Sequence, residues 1–245
     1  MTRIANTHNL TRRLVDTLGI AIVTGTYGPG RPFPTEAQLC IELGASRSVL
    51  REAVKMLTAK GLLSARPRRG TIVEPEAYWN LLDPDVLRWT LERKFSPELL
   101  AEFTQMRLAI EPRAAMLAAH QATPAALQAI EHALERMRAA ENGTDDPLES
   151  DIAFHVAVLS ASGNRLYAQL RDLVATALRF SIPLTNRTKG VALANVADHR
   201  RVYTAIVAGN GVRAFRAMEA LLSEVMQLIE AQPASTPRGH GRTKG

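Results

Sequence analysis

The second half of the sequence contains side chains of the types that bind a divalent metal ion. Asp151 and His155 are four residues apart, so on a helix they share one face, one turn apart. His199 falls on a different predicted helix. An aspartate and two histidines that converge inside a helical bundle offer the oxygen and nitrogen ligands that Zn²⁺, Ni²⁺ or Mn²⁺ takes. The alternative is a polar core cluster in which Asp151 is hydrogen-bonded to a histidine and no metal binds.

Arg107 is a second candidate, because it lies in an otherwise apolar helical stretch. A buried arginine needs a partner, since an unpaired buried charge is costly. Glu111, one turn later, is one such partner. The other is the carboxylate of a small ligand, which a guanidinium binds through two parallel hydrogen bonds. The candidate ligand-binding residues are therefore Arg107, Asp151, His155 and His199.

These residues lie in a region, 96–231, whose pattern is helical almost throughout. Capping residues followed by proline at the first helical position mark three helix starts, at 96–97, 123–124 and 146–147. We predict an all-α helical bundle without strands of useful length. Its helices are expected at about 96–120, 123–142, 146–163, 165–182, 195–208 and 212–231, with Pro183 ending the fourth and a loop over 185–190 after it.

Residues 34–73 predict two short helices, a tight turn and a small β-ribbon. Thr35 caps the first helix, Gly44 can leave it with positive φ, and Ser46 caps the second. Two helices joined by such a turn indicate a helix-turn-helix. The apolar side of the first helix is expected to consist of Leu39, Cys40, Ile41 and Leu43. The polar face of the second helix consists of Arg47, Ser48, Arg51 and Lys55.

Two β-prone runs, 62–65 and 71–73, flank the basic tip Arg66-Pro67-Arg68-Arg69-Gly70. This pattern predicts a hairpin whose tip lies against a phosphate backbone or in a minor groove, so the whole unit is a winged helix. The predicted fold class is mainly α: an N-terminal winged helix-turn-helix with a β-ribbon wing, followed by the helical bundle.

The second helix of this motif has the basic, hydroxyl-bearing start that a recognition helix needs in the major groove. Arg47 and Arg51 are expected to contact base edges, guanine above all, and Ser46 and Ser48 to contact phosphates. The alternative for both arginines is a solvated helix face. The full set of predicted DNA-binding residues is Thr35, Ser46, Arg47, Ser48, Arg51, Arg68, Arg69 and Gly70.

Charge is distributed unevenly along the chain. The net charge is +6; residues 1–78 contribute +5, residues 79–232 contribute −2, and residues 233–245 contribute +3. A basic module beside a near-neutral one is the pattern of a nucleic-acid-binding protein. No apolar run approaches the ~20 residues that cross a membrane, and the N-terminus has no apolar signal region. With Cys40 as the single cysteine, we expect a cytoplasmic protein without membrane contact.

We predict a winged-helix domain over 8–76, opened by a helix at 8–25, and a helical linker over 77–95. The bundle covers 96–232, and 233–245 is expected to be a disordered tail. The linker is too apolar for a flexible segment, and its helix begins at Asp83-Pro84. We expect it to dock on the second domain.

The N-terminal motif resembles the DNA-binding domain of the GntR family of bacterial transcription regulators. Many fixed points carry the resemblance, and Phe33 replaces the usual leucine. The matching residues are Pro29-Gly30, Pro34-Thr35-Glu36, Leu39, Gly44-Ala45-Ser46-Arg47, Leu50-Arg51-Glu52-Ala53, Leu57, Gly61-Leu62 and Gly70-Thr71-Ile72-Val73.

From about 80 to 231 the chain resembles the FCD domain found in the FadR subgroup of that family. The carrying residues are Arg107, Glu111-Pro112, Asp151, His155, Ser162-Gly163-Asn164, His199, Ile206, Ala214 and Ala217-Met218. The resemblance implies a metal held by such residues and a third histidine. Leu221 stands at the position of that histidine, so this chain lacks one ligand.

The resemblance also implies a homodimer that binds a palindromic double-stranded operator. Residues 78–89 are similar to the linker of FCD regulators of sugar-acid catabolism, which suggests a repressor whose effector is D-galactonate or a related carboxylate. Two alternatives stay open. One is a metal-dependent hydrolase using Asp151, His155 and His199, although the sequence offers no nucleophile–base pair or HExxH motif. The other is an effector-independent DNA-binding protein.

Overall fold

A computed structural model describes residues 2–29, 33–66, 68, 70–93, 96–190 and 195–231; for residues 2–9 it describes the backbone alone. The chain divides into two compact units, Met1–Lys94 and Phe95–Gly245. The predictions for Gly30, Pro67, Arg69 and the tail from 233 lie outside the described residues.

The first unit begins with α1 (Thr2–Val23), α2 (Glu36–Leu43) and α3 (Arg47–Ala59). Thr35 and Ser46 cap α2 and α3 as predicted, each accepting a backbone N–H with its hydroxyl. Gly44 ends α2 at φ 60°. The prediction for Ile41 is wrong, because its side chain is 85% exposed. Leu39 alone among the four predicted apolar positions of α2 is fully buried.

The wing is a two-stranded antiparallel ribbon of β1 (Leu63–Arg66) and β2 (Gly70–Val73). Leu63 pairs with Val73 at the base, where both side chains are buried, and Arg66 pairs with Gly70 at the tip. Gly70 has φ 73° and Arg68 has φ 64°, so the tip turns through left-handed backbone. The predicted β-ribbon is therefore present, with a basic turn at its end.

The segment after the wing belongs to the first unit. A 3₁₀ turn (Glu76–Tyr78) leads to α4 (Pro84–Arg93), and Trp79 and Trp89 are buried in the core of this unit. Trp89 Nε1 donates to Asp16 Oδ1 at 3.0 Å. A Cβ at Gly19 of α1 would lie 2.4 Å from the Trp89 ring, so the ring requires glycine there. We expected the linker to dock on the second domain, and for these residues that expectation is wrong.

The second unit is an all-α bundle, as predicted. Prolines at the first helical position follow the caps Ser96, Thr123 and Asp146, and each cap accepts a backbone N–H. Among the described residues, no helix is both long and apolar enough to span a membrane. The helices are α5 (Pro97–Gln121), α6 (Pro124–Glu141), α7 (Pro147–Ala161), α8 (Arg165–Gln169), α9 (Arg171–Lys189), α10 (Val196–Val207) and α11 (Gly211–Glu230).

The prediction of one helix ended by Pro183 is wrong on two points. The predicted helix is divided at Leu170, where α8 ends and α9 begins. Helix α9 then continues through Pro183 to a left-handed cap at Gly190. Proline removes one backbone donor from a helix. Leu184 and Thr185 are nevertheless buried, and the Thr185 hydroxyl donates to the Ser181 carbonyl at 3.0 Å. Packing of the helix beyond Pro183 therefore outweighs the lost hydrogen bond.

Candidate functional site

The bundle brings together the three predicted metal-binding side chains. Asp151 and His155 lie one turn apart on α7, and His199 lies on α10. All three are buried, and one potential ligand atom from each lies within 4.8 Å of the others. Asp151 Oδ1 is 3.2 Å from His199 Nε2 and 3.4 Å from His155 Nε2. Sequence spacing placed the first two on one face, and packing of α10 supplies the third.

The second nitrogen of each imidazole is held by an acceptor. His155 Nδ1 donates to Glu111 Oε2 at 2.6 Å, and His199 Nδ1 donates to the backbone carbonyl of Asn195 at 2.9 Å. Phe154 packs edge-on against both rings. Such outer partners fix the tautomer and orientation of metal-binding histidines. The donor set therefore fits a divalent ion, because the Nε2 atoms of both histidines lie beside the Asp151 carboxylate.

Arg107 is buried on α5 and forms an ion pair with Glu111 one turn later. Its Nε donates to Glu111 Oε1 at 2.5 Å, and its Nη2 donates to Glu111 Oε2 at 3.4 Å. Nη2 also lies 3.2 Å from His155 Nδ1. Of the two partners considered from the sequence, the structure shows Glu111. This carboxylate joins the arginine to the histidine cluster.

The electrostatics of the cluster keep its carboxylates ionised. Burial alone would raise the pKa of Glu111, but Arg107 and His155 hold that pKa at about 2. Burial likewise opposes ionisation of Asp151, and the neighbouring His199 and His155 hold its pKa well below the ordinary value. An ionised carboxylate beside imidazole nitrogens is what a divalent cation requires.

A small cavity of about 50 Å³ adjoins the cluster, between α5, α7, α9, α10 and α11. Leu178, Ile182, Leu221 and Val225 form its apolar wall. Ser181, Thr185, Asn186, Asn195 and Asp198 add polar groups. Two further lining residues, Lys189 of α9 and Glu224 of α11, form an ion pair at 2.8 Å. Sequence reasoning missed this pair, because only the packing of α9 on α11 makes it visible.

The polar face of α3 is exposed, as a recognition helix requires. Arg47, Ser48 and Arg51 are all exposed, and Ser46 Oγ lies 3.1 Å from Ser48 Oγ. Thr35 is tied into a capping box with Gln38 at the start of α2. The described residues of the wing tip, Arg68 and Gly70, are exposed as well.

Arg51 has a partner that the sequence did not suggest. Its Nε donates to both oxygens of Glu36, at 2.8 and 3.0 Å. The two residues are 15 apart and lie on different helices of the motif. Glu36 is the first residue of α2. The angle between α2 and α3, which no local pattern encodes, brings the two side chains together.

Family models match both units. The model of bacterial regulatory proteins of the gntR family matches residues 10–73, and the FCD domain model matches residues 102–224. The galactonate operon transcriptional repressor of Escherichia coli (strain K12) is 41% identical over 71% of this chain and 76% of its own length. The uncharacterized regulator YieP of the same organism is 32% identical over 90% of this chain and 95% of its own length.

A solved structure agrees on the fold. Lar, which controls expression of the Listeria monocytogenes agr system, matches with a TM-score of 0.56 at 18% identity, over 90% of this chain and 96% of that chain. The sequence comparisons place this protein among DNA-binding transcription regulators and not among enzymes, so the hydrolase alternative is not supported. The chain belongs to the GntR family of bacterial transcription regulators and carries an FCD domain in its C-terminal half.

Proposed function

We propose that this protein is a cytoplasmic, dimeric repressor of a sugar-acid catabolic operon. A small carboxylate such as D-galactonate would release it from its operator. The observation that carries the proposal is the 41% identity, over 71% of the chain, with a galactonate operon repressor. The pocket of the second unit supports it, because the pocket combines an arginine, a candidate cation site and several hydrogen-bonding groups.

The effector-binding residues in this proposal are Arg107, Asp151, His155 and His199. The latter three would hold Zn²⁺, Ni²⁺ or Mn²⁺, and a bound ion would supply positive charge toward the oxygens of an acidic ligand. Arg107 also lines the pocket and is paired with Glu111. Leu221, where the family pattern has a third histidine, contributes only apolar surface.

The size of the cavity sets a condition on effector binding. Pockets for small molecules usually have about 300–1,000 Å³, whereas this cavity has about 50 Å³. A six-carbon acid therefore requires the surrounding helices to separate. The Lys189–Glu224 ion pair joins α9 to α11 beside the cavity, so it must adjust when they do. Effector binding would in this way change the packing of the bundle, which is what a regulator needs.

The winged helix of the first unit would bind DNA, and the second unit would bind the effector and form the dimer. Two copies of the winged helix would bind the half-sites of a palindromic operator. Arg47 and Arg51 would contact base edges in the major groove, with guanine as their preferred base. Thr35, Ser46 and Ser48 would contact phosphates. Arg68, Arg69 and Gly70 would place the wing tip at the minor groove.

The test uses duplexes that the purified full-length protein selects from a random-sequence pool. Binding to a selected duplex is measured with and without a panel of aldonates, before and after removal of metal with a chelator. We expect one aldonate to release the protein, and we expect chelation to weaken that response. Tight binding that is indifferent to every acid would overturn the sugar-acid proposal and leave the DNA-binding assignment standing.

A further inference from the structure

The ion pair between Glu36 and Arg51 lies on the face of the winged helix that is proposed to bind DNA. It joins α2 to the exposed polar face of α3, where the phosphates and bases of DNA would lie. The two side chains remain 46% and 63% exposed. Exposed ion pairs contribute little to stability. The carboxylate of Glu36 on this face also repels phosphate, so it weakens DNA binding unless a favourable contribution to binding offsets the repulsion.

The geometry shows what the contact does to Arg51. Both hydrogen bonds are made by Nε, which leaves the two Nη groups free of any described acceptor. The backbone of Glu36 is fixed, because Glu36 is the first residue of α2 and lies between Thr35 and Gln38, which form the capping box. The guanidinium is therefore held by one edge, with the other edge available. Binding the O6 and N7 atoms of guanine requires two donors of one guanidinium in a set orientation.

We propose that Glu36 is a positioning residue that sets the DNA sequence preference of this regulator by orienting Arg51 toward guanine. The inference rests on the proposed role of Arg51 in contacting a base. Holding the side chain before DNA arrives reduces the entropy lost on binding the correct site. The same carboxylate repels every phosphate backbone equally, so it lowers affinity for DNA of any sequence. Glu36 thereby favours guanine-containing sites over all others.

The experiment compares two probes, each measured by fluorescence anisotropy with the full-length protein. One is a duplex that the wild-type protein selects from a random-sequence pool, and the other is a random-sequence duplex of equal length. The quantity compared is the ratio of the two affinities. We expect Glu36→Gln to lower affinity for the selected duplex by about 3- to 10-fold. It should raise affinity for the random duplex slightly, since one repulsive charge is lost.

Two further variants separate positioning from simpler effects. Glu42→Gln removes another exposed charge from the same helix, one for which the structure describes no ion pair with Arg51, and should leave the ratio unchanged. Glu36→Asp keeps a negative charge at the N-terminal end of α2 but shortens its reach. It should lower the ratio while the melting temperature of the protein stays at the wild-type value. If Glu36→Asp keeps the full ratio, the sequence preference depends on the negative charge and not on the contact with Arg51, and the proposal is overturned.

The double variant decides whether Glu36 acts through Arg51. Arg51→Ala should lower the ratio strongly, and adding Glu36→Gln to it should change the ratio no further. If Arg51→Ala leaves the ratio intact, the base-contact role proposed above fails. If Arg51→Ala lowers the ratio but Glu36→Gln behaves like Glu42→Gln, the base contact stands and the positioning role of Glu36 is overturned.

Discussion

Two of the arginine–glutamate pairs of this protein share their chemistry and differ in their surroundings. Arg107 and Glu111 lie one turn apart on α5 with exposed fractions of 2% and 0%. Arg51 and Glu36 come from two different helices of the winged helix and are 63% and 46% exposed. The first pair also contacts His155, whereas the second pair faces the side of α3 that would meet DNA.

Burial decides what each pair can do. The buried pair is shielded from water, so removing either partner leaves an uncompensated charge and lowers the stability of the fold strongly. This explains why the pKa of Glu111 is held at about 2 although burial opposes its ionisation. The exposed pair is screened by solvent and salt, so it contributes little to the stability of the fold. Arg107 donates to Glu111 with both Nε and Nη2, whereas Arg51 donates to Glu36 with Nε alone and keeps its Nη groups available for recognition.

The largest expected effect comes from breaking the buried pair. Glu111→Ala leaves Arg107 and His155 without their shared carboxylate, and we expect it to lower the free energy of unfolding of the second unit by about 3–5 kcal/mol. Urea unfolding followed by circular dichroism measures this loss. Both tryptophans, Trp79 and Trp89, lie in the first unit, so the tryptophan fluorescence transition should not move.

Two variants serve as references for this loss. Glu102→Ala removes an exposed glutamate from the same helix, α5, and should cost less than about 0.5 kcal/mol. Glu36→Ala breaks the exposed pair and should cost at most about 1 kcal/mol. If Glu36→Ala and Glu111→Ala are equally destabilising, the contrast drawn from burial is wrong.

A second, smaller effect concerns the cation site beside the buried pair. Asp151 supplies the only carboxylate among the three candidate ligands. We expect Asp151→Asn to weaken binding of Zn²⁺, Ni²⁺ or Mn²⁺ by at least about 10- to 100-fold, the range found even for the outer partners of metal ligands. Isothermal titration calorimetry on chelator-treated protein measures the change. Asp172→Asn, an exposed aspartate on α9, is the matched control.

If Asp151→Asn binds the metal ions as tightly as the wild type, the ions bind elsewhere in the protein. Leu221→His offers a gain-of-binding test of the same site. Leu221 lines the cavity, so a histidine there adds a nitrogen donor near the other three. We expect tighter metal binding in Leu221→His and no gain when it is combined with Asp151→Asn.

Local patterns in the sequence were sufficient to predict much of the fold. The caps at Thr35, Ser46, Ser96, Thr123 and Asp146 are where the sequence predicted them, because a capping residue acts on backbone groups within three positions. The spacing of Asp151 and His155 likewise fixed their common face. Such inferences need no knowledge of how helices pack.

The features that the sequence did not reveal all depend on packing. Pro183 ends no helix, since burial beyond it outweighs one lost hydrogen bond. Trp89 packs on α1 because Gly19 leaves room for its ring, and nothing local links residues so far apart. The Glu36–Arg51 pair depends on the angle between two helices. Sequence reasoning therefore identified the candidate ligands and Glu111 as a partner of Arg107, but not the acceptors that hold the two histidines.

The smallest expected effect tests an ion pair of intermediate burial. Lys60 at the end of α3 binds Asp83 at 2.7 Å and Asp85 at 2.9 Å, joining α3 to the start of α4. The side chains of Lys60 and Asp85 are 12% and 34% exposed. Burial would raise the pKa of Asp85, but Lys60, and then Arg88 and Arg12, lower it below its ordinary value of 3.8. The lowered pKa means that folding favours the ionised carboxyl.

Asp85 therefore stabilises the first unit above pH 3.8, and this contribution is lost as the pH falls through the lowered pKa in the folded protein. At pH 6 we expect Asp85→Asn to cost about 0.5 kcal/mol, a value discounted for solvent screening. The difference in unfolding free energy between Asp85→Asn and the wild type should shrink as the pH falls below 3.8. Urea unfolding followed by tryptophan fluorescence measures it at each pH, with Glu92→Gln as the exposed control on α4. If the loss of unfolding free energy in Asp85→Asn stays constant with pH, Asp85 acts through packing and not through charge. Burial would then not predict the order in which the three ion pairs contribute to stability.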